Sequence, residues 1–512
     1  MKQIASVLIL ACLTFGTSPA RAEVKLPPVI SDHMVLQCDA ACPIWGSAAP
    51  GEPVSVSIAG QTKATTANAQ GNWKVILDPL KAAEGLTLTV KGSHTITIQD
   101  VLVGEVWLGS GQSNMAIDEE RFASGDAVLA QAAAKTYPKL RLFQKGWVVA
   151  VPANNARFSA LLFSFGFRLQ QELGVPVGLM VGAVGGTPSG YWLTEEMLHS
   201  DTACQAQAQE FAKTYHFDAA LKKYDQELAA WKSAVEKAKQ TNGRAPRGPN
   251  RPAKAGESAG RIGNLYEAHV QPFAPYAIRG VLWDQGESGT AITGVDQFNV
   301  MGALIKGWRK AWGQDFPFLY VQKPSGNGTA WDLENPTTKN ASKFSPLPAQ
   351  VPGDSDGLYR DLHIKIQQHP KTAMVPTSDL GSGTHPTNKS GYGERAAHVA
   401  LGFVYNRKVE FSGPLYASHT IEGNKIRIKF THIGQGLAGR YSDKLQGFII
   451  AGSDKKFYWA DAKIDGDTVV VSSPVVPAPV AVRYAWSQTI PWANLFNQDG
   501  LPAPTFRTDD WK

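Results

Sequence analysis

The chain has 512 residues, of which 43% are hydrophobic and 18% charged, and its formal net charge is +6. This composition is that of a large globular protein, and the length allows two to four domains. Much of the positive charge lies in one segment, from Lys222 to Lys254, without the interleaved aromatic residues of nucleic-acid binders. No nucleic-acid partner is therefore expected. A membrane span is not expected either, because no stretch approaches the roughly 20 apolar residues required.

The first 22 residues have the features of a secretory signal peptide. Lys2 is followed by a mostly apolar run, and Ala20-Arg21-Ala22 provides a small-x-small cleavage pattern before Glu23. The protein is therefore expected to be exported, to the periplasm or the extracellular space. There, Cys38 and Cys42 could form a disulfide or remain unpaired, and Cys204 would be a lone thiol. The cysteine and histidine spacings indicate no metal site.

Residues 23–103 predict an N-terminal β domain. Apolar and polar residues alternate in short runs (VSVSIAG, NWKVILD, LTLTVKG and HTITIQD), and Gly, Pro and Asn turns separate the runs. This alternation is typical of antiparallel strands in a small sandwich.

Residues 104–410 predict an α/β domain, because continuous apolar runs now alternate with longer helical stretches. An insertion at about 200–262 interrupts this scheme. It contains one apolar helical stripe, formed by Leu221, Tyr224, Leu228, Trp231 and Val235. A basic, Gly/Pro-rich segment at 241–260 follows, which reads as a mobile loop or, alternatively, as a lid. Alternation returns in residues 411–512 and predicts a C-terminal β domain.

Four polar stretches follow apolar strands of the α/β domain. The run VLVGEVWLGSGQSNM at 101–115 presents Ser113 on a glycine-rich turn, where a nucleophile can stand clear of a sheet. Gly185-Gly186, Gln285-Gly286-Glu287 and His385 follow three later strands. Because ligands bind outside the carboxyl ends of the strands in such sheets, these residues are expected around one crevice.

Six motifs resemble the sialate O-acetylesterase family, a group of SGNH-type hydrolases and carbohydrate acetylesterases. They are GQSNM at 111–115, GGTPSGYW at 185–192, LYEAHVQPFAPYAIRGVLWDQGES at 265–288, HPTNKSGYGERAA at 385–397, MVLQ at 34–37 and NLFNQDGLPA at 494–503. The resemblance implies a flavodoxin-like catalytic domain flanked by N- and C-terminal β-sandwich-like accessory domains. It also implies an ester hydrolysis that needs no metal or other cofactor.

Carried over by motif, the resemblance implies that Ser113 is the nucleophile and His385 its base. The oxyanion would be bound by the backbone N–H groups of Ser113 and Gly186 and by the side-chain amide of Gln285. For Gln285, a purely structural role as a strand-end hydrogen bonder is the alternative.

Two departures from the family pattern concern the neighbours of these residues. Ser382 and Gly383 stand where related enzymes carry the aspartate that orients the histidine. Glu287 is the favoured substitute, Asp379 is the second candidate, and a dyad without a carboxylate is the third. In addition, Gly289 stands where the family often has Asn after QGES, so a polar contact to substrate is absent.

The resulting hypothesis is a serine esterase that removes O-acetyl groups from a saccharide, either sialic acid or hemicellulose side chains. The alternatives are a non-catalytic carbohydrate-binding protein and an esterase or thioesterase of other acyl groups. Tyr191, Trp192 and Trp283 could stack on a sugar ring or belong to the core. A sialate carboxylate would favour a nearby cation, but the sequence does not place Arg121 or Lys323 in the pocket. The oligomeric state is not predicted.

Overall fold

The computed structural model describes residues 23–511, so the predicted signal peptide at 1–22 lies outside the described residues. The α/β class is confirmed: a large mixed sheet with helices is accompanied by separate antiparallel sheets. None of the helices within residues 23–511 is long and apolar enough to cross a membrane.

The N-terminal part is built from six short strands, of which all but the first pair in antiparallel fashion. They are β1 (Val35–Gln37), β2 (Cys42–Ser47), β3 (Pro53–Ile58), β4 (Gln61–Thr66), β5 (Asn72–Leu77) and β6 (Ala83–Lys91). Strands β4, β3 and β6 pair in that order, and β2 pairs separately with β5. Strand β6 then pairs with β7 (Thr95–Gly111), which continues without a break into the central sheet. The predicted boundary at 103 and 104 therefore falls inside one strand.

The central sheet is formed by β7 together with six further strands. They are β8 (Tyr137–Phe143), β9 (Trp147–Ala150), β10 (Val177–Ala183), β11 (Gly280–Asp284), β12 (Phe318–Val321) and β13 (Thr372–Val375). Strands β10, β7, β11, β12 and β13 are parallel and lie in that order, and the β8–β9 hairpin extends the edge at β10. Strand β8 also pairs in parallel with β10, so six strands of this sheet are parallel. In such sheets ligands bind outside the carboxyl ends of the strands, where the strand order reverses. The order reverses between β7 and β11, so a crevice opens at their carboxyl ends.

Eleven α-helices lie within the described residues. They are α1 (Ser113–Ala116), α2 (Ala127–Ala133), α3 (Pro152–Asn155), α4 (Ala160–Leu173), α5 (Glu195–His199), α6 (Thr202–Ala212), α7 (Phe217–Gln240), α8 (Asn264–His269), α9 (Gln297–Trp312), α10 (Leu358–Lys365) and α11 (Lys389–Phe403). Helices α4 and α11 contribute to the apolar core on one face of the sheet, which also contains Leu282 and Leu319. Helix α9 contributes to the other core, where Trp308 packs at a ring-centroid distance of 5.8 Å from Trp283.

The insertion folds back on itself rather than lying as a free linker. The predicted apolar stripe is on α7, and each of its residues is half-buried. The stripe meets the basic segment that follows, because the indole N–H of Trp231 donates to the Pro246 carbonyl at 2.8 Å. The Tyr215 hydroxyl likewise donates to the Ala253 carbonyl at 3.1 Å. Segment 241–260 is thus held against α7.

The C-terminal part has its own apolar core between antiparallel sheets. Its strands are β14 (Leu415–Glu422), β15 (Lys425–Thr431), β16 (Leu437–Gly439), β17 (Phe448–Ala451), β18 (Phe457–Trp459), β19 (Asp461–Asp465), β20 (Thr468–Ser472), β21 (Ala481–Tyr484), β22 (Leu495–Asn497) and β23 (Phe506–Arg507). The sheet orders are β14-β15-β20-β19 and β18-β17-β21-β23, and β16 pairs with β22. Arg360 joins this part to the α/β part, since its buried guanidinium donates to the Gly326 and Gln488 carbonyls at 3.0 and 2.7 Å.

The three cysteines of the described chain are unpaired and buried, so the disulfide alternative for Cys38 and Cys42 does not hold. Burial raises the pKa of the Cys42 thiol to about 12. The thiols are therefore protonated and inert near neutral pH.

Candidate active site

Ser113 lies at the turn between β7 and α1, at the carboxyl edge of the sheet. The turn depends on Gly111, whose φ of +126° lies in the left-handed half of the map, and a Cβ there would lie 2.1 Å from the Asp284 carbonyl oxygen. A residue other than glycine would therefore have both an unfavourable backbone conformation and a steric clash at this position. Because Ser113 is the first residue of α1, its backbone N–H has no acceptor within the helix and points out of its end.

His385 lies beside Ser113, on the loop between β13 and α11. Its Nε2 is 2.8 Å from the Ser113 Oγ, the distance of a hydrogen bond between a hydroxyl and an imidazole. The two residues are 272 positions apart in the chain, so the sheet topology brings them together. This is the geometry that a serine nucleophile and its general base require.

Neither candidate carboxylate contacts His385. Glu287 Oε1 instead accepts from Lys323 Nζ at 2.6 Å and from Asn114 Nδ2 at 3.2 Å. Asp379 is fully buried and accepts two hydrogen bonds from the Arg395 guanidinium, at 3.1 and 2.8 Å. Each carboxylate is held by a cation that it needs for its own charge balance. Across residues 23–511, His385 therefore has Ser113 as its partner and no orienting carboxylate.

The loops around Ser113 are held by Gln285, which is 2% exposed. Its amide nitrogen donates to the carbonyls of Thr187 and Gly289 at 3.2 and 3.0 Å, and its oxygen accepts from Gln297. Both amide protons are thus committed, so Gln285 does not offer a donor to an oxyanion in this conformation. The structure differs from the expectation here, because the strand-end amide is bound between two loop carbonyls, of which that of Gly289 also accepts from the Ser189 N–H at 3.0 Å.

The Gly185-Gly186 turn lies against the nucleophile. A Cβ at Gly185 would be 3.4 Å from the Ser113 Cβ, and Gly186 is exposed. At Gly289 the backbone φ is +63°, a conformation that glycine and asparagine both adopt. The exchange of Asn for Gly at this position is therefore compatible with the same loop.

A cluster of buried charges lies beneath these residues. Lys323 Nζ is 2.6 Å from both Asp284 Oδ1 and Glu287 Oε1, and the Lys323 and Asp284 side chains have no exposed area. Burial disfavours the Lys323 ammonium, but Asp284 and Glu287 together hold its pKa above the usual value. Burial raises the pKa of Asp284, and Lys323 opposes that shift.

A second buried lysine, Lys389, completes this cluster. Its Nζ donates to Asn114 Oδ1 at 2.7 Å and lies over the rings of Phe122 and Tyr392. Burial lowers the pKa of Lys389 to about 7, while the negative charge of Asp284 acts in the opposite direction. Lys389 and Asn114 are both 1% exposed or less.

Sequence reasoning missed Asn114, Asp284 and Lys389, and it considered Lys323 only as a substrate contact. A signal was present, because Asp284 and Lys323 are charged residues that end or follow apolar strands, where a charge needs a buried partner. The identity of each partner could not be read, since the four residues come from four separate parts of the chain.

A cavity of about 840 Å³ opens beside the site, lined by Gly186 and Glu287. Its lining also includes Tyr191, Tyr224 of α7, and Arg247 and Arg251 of segment 241–260. Both arginines are exposed, and neither forms an ion pair within the described chain. Segment 241–260 is therefore a wall of this cavity.

The remaining candidates fall into two groups. Trp192 and Trp283 are 0% and 1% exposed and belong to the core, whereas Tyr191 lines the cavity. Lys323 is bound within the charge cluster and does not line the cavity. Arg121 is exposed and does not line the cavity.

Comparison with known proteins gives matches along almost the whole chain. The human sialate O-acetylesterase is 26% identical over 98% of this chain and 95% of its own length, and the mouse protein is 26% identical over 93% of each. The crystal structure of a carbohydrate acetylesterase from Xanthomonas citri superposes with a TM-score of 0.71 at 30% identity, covering 95% of this chain and all of that one. No family model matches the chain.

These matches and the α/β fold define the protein as a carboxylic ester hydrolase. Two observations identify the family: the 30% identity over the complete Xanthomonas chain, and the matches to four curated sialate O-acetylesterases. The chain belongs to the sialate O-acetylesterase family, which confirms the resemblance seen in its motifs.

Proposed function

We propose that this protein removes O-acetyl groups from a saccharide through an acetyl-Ser113 intermediate, on an SGNH-type scaffold. The observation that carries the proposal is the 2.8 Å contact between Ser113 Oγ and His385 Nε2. Matches to sialate O-acetylesterases and to a carbohydrate acetylesterase support the substrate class.

In the first step, His385 Nε2 accepts the Ser113 proton as Oγ attacks the carbonyl carbon of the acetyl group. A serine hydroxyl at its ordinary pKa is too weak a nucleophile without such a base. The negative charge that develops on the carbonyl oxygen is bound by the backbone N–H groups of Ser113 and Gly186. The protonated His385 then donates its proton to the departing sugar oxygen, and the acetyl-enzyme remains.

In the second step, His385 accepts a proton from a water molecule that attacks the acetyl carbonyl carbon, and then donates it to Ser113 Oγ as the bond to the acetyl group breaks. Acetate leaves, and Ser113 and neutral His385 are regenerated. Gln285 supports both steps by holding the loops of Thr187 and Gly289 rather than by binding the oxyanion. The experiment is acetate release from acetylated saccharides by the full chain, compared with Ser113→Ala and His385→Ala. Both variants are expected to lose turnover by several orders of magnitude, and undiminished release by Ser113→Ala would refute the proposal.

Among saccharides, we infer that the cavity favours one that carries a carboxylate, such as O-acetylated sialic acid. Arg247 and Arg251 line it without ion-pair partners, and a guanidinium binds a carboxylate in a bidentate manner. The neutral side chains of a hemicellulose such as xyloglucan offer no such group. A cavity of about 840 Å³ is also large enough for a sugar and its neighbours.

This inference is tested with Arg247→Gln and Arg251→Gln, singly and together. Because a hydrogen bond to a charged group contributes about 1.5–3 kcal/mol, kcat/KM for a sialic acid acetate is expected to fall roughly 10- to 100-fold per arginine. Turnover of a neutral aryl acetate is expected to be unchanged. Arg244→Gln is the matched control, since Arg244 lies in the same segment outside the cavity lining. Equal losses on acetylated xyloglucan, which carries no carboxylate, would contradict the role of the carboxylate.

We further propose that the chain is exported to the periplasm or beyond, with cleavage after Ala22. The charged start, apolar run and Ala-Arg-Ala pattern of residues 1–22 support this. N-terminal sequencing of the protein expressed from its full reading frame is expected to begin at Glu23. A protein that retains Lys2 and stays in the cell would contradict it.

A further inference from the structure

We propose that Asn114 is the positioning residue for His385, in the role that a carboxylate was expected to fill. Its side-chain amide joins the nucleophile turn to the histidine loop and is itself oriented by Lys389. This inference rests on the proposed esterase function, and its test is arranged so that the two can fail separately.

The loop that carries His385 has little other support. Residues 382–385 are exposed and belong to no helix or strand. Within the described chain, the backbone of residues 382–386 takes part in one hydrogen bond, from Asn114 Nδ2 to the Thr384 carbonyl at 2.9 Å. The flanking backbone is fixed on both sides, by the bonds of Asn327 N–H to the Gly381 carbonyl and of Lys389 N–H to the Thr387 carbonyl. Among residues 23–511, Asn114 thus makes the one hydrogen bond to the backbone of this loop between the two anchors and so tethers the loop.

The orientation of the Asn114 amide is determined by its partners. A lysine amine donates to Oδ1, at 2.7 Å, and a backbone carbonyl can only accept from Nδ2. A flipped amide would face the Thr384 carbonyl with its own oxygen and lose both bonds. Lys389 is held in turn between the rings of Phe122 and Tyr392, at 4.8 and 5.1 Å from their centroids.

The tether also accounts for the position of Glu287. This carboxylate accepts the second amide hydrogen of Asn114, at 3.2 Å, and is paired with Lys323. Glu287 therefore acts on His385 through Asn114 and Thr384 rather than by direct contact. Asn114 follows Ser113 in sequence, so one residue fixes the nucleophile turn and the base loop relative to each other.

The test compares Asn114→Ala and Asn114→Asp with the wild-type protein on a small aryl acetate. Loss of the tether frees the His385 loop, and a misplacement of about 1 Å costs roughly 100-fold in rate. We expect kcat to fall about that much with little change in KM, because Asn114 is buried and does not touch substrate. Asn114→Asp keeps the size of the side chain and replaces the donating nitrogen with an acceptor, so it tests the bond even where Asn114→Ala fails to fold.

Asn155→Ala is the matched control. Asn155 is also fully buried, and its Nδ2 donates to two backbone carbonyls, those of Ala133 and Lys135, both at 2.9 Å. Its loss is expected to lower the melting temperature as much as Asn114→Ala while leaving kcat unchanged. If Asn155→Ala lowers kcat to the same extent, or if both Asn114 variants keep wild-type kcat, the positioning role is wrong.

A second readout does not depend on ester turnover. Sulfonyl fluorides modify a serine that a base activates, so their rate of reaction at Ser113 reports the Ser113–His385 contact. This rate is expected to fall with kcat in the Asn114 variants, and to fall less in Lys389→Met, where the amide is present but less firmly oriented. A wild-type protein that reacts with the reagent but releases no acetate would refute the proposed function alone. Unchanged reactivity in Asn114→Asp would refute the tether alone.

Discussion

The buried cluster beneath the active site makes a quantitative prediction for Lys323→Met. The Asp284 side chain has no exposed area, and the substitution removes the ammonium that lies 2.6 Å from its Oδ1. Removal of one partner of a buried ion pair costs about 3–5 kcal/mol, because the remaining charge is uncompensated. Since whole domains are stable by about 5–15 kcal/mol, the loss is a large share of the total. We therefore expect Lys323→Met to unfold at a markedly lower urea concentration.

Urea unfolding, followed by tryptophan fluorescence, measures this loss. The control is Lys310→Met, which makes the same substitution in the exposed Lys310–Glu196 pair, where both side chains are about 80% exposed. Such a surface pair contributes about 0–1 kcal/mol. The double variant Lys323→Met/Asp284→Asn removes both charges and is expected to recover part of the stability. If Lys323→Met costs no more than Lys310→Met, or if the double variant is worse than the single one, the charge-balance reasoning is refuted.

Three further predictions follow from single contacts. The pKa of Lys389 is about 7 in the folded chain and about 10.4 in the unfolded chain, so the unfolded chain binds more protons between these pH values. The free energy of unfolding should therefore rise with pH by up to about 1.4 kcal/mol per unit. Urea titrations at pH 7 and 9 should show this rise in the wild type and not in Lys389→Met, and an equal pH dependence in the two proteins would contradict it. A Cβ at Gly260 would lie 1.9 Å from the Tyr191 hydroxyl oxygen, so Gly260→Ala should displace the Tyr191 ring. Steady-state kinetics should then show a higher KM for a saccharide ester and an unchanged KM for a small aryl acetate, and the opposite result would contradict the prediction. Gln285→Met removes the amide hydrogens that Gln285 donates to the Gly289 and Thr187 carbonyls. Thermal unfolding should show that the free energy of unfolding falls by about 1–3 kcal/mol, and kinetics should show a lower kcat. Wild-type stability of this variant would count against the loop-holding role.

The α/β class and the proximity of Ser113 to His385 could be predicted because both follow from local patterns of apolar and polar residues. Apolar strands that end in polar turns place their last residues at one edge of a parallel sheet, whatever their distance along the chain. That rule brought Ser113, Gly186, Gln285 and His385 to one edge. The boundary predicted at 103 and 104 lies within β7, because the change from alternating to continuous apolar residues marks where β7 becomes buried and not where it ends.

The hydrogen-bond partners of the site could not be predicted. Glu287 and Asp379 were both reasonable orienting groups by their position, yet each is bound by a cation, Lys323 or Arg395, from another element. Which of several buried charges pair depends on distances of a few ångströms that no spacing encodes. The same holds for Arg247 and Arg251, whose segment resembles a linker by composition but is held by α7 as a wall of the cavity.

The most direct test of the central claim is to trap the acetyl-enzyme. Wild-type protein mixed with an activated aryl acetate and quenched with acid within milliseconds should carry one acetyl group, which peptide mass spectrometry should locate on the peptide containing Ser113. A burst of phenolate equal to the enzyme concentration should accompany it, and Ser113→Ala should show neither. Full turnover with no burst and no modified peptide, retained in Ser113→Ala, would contradict the account.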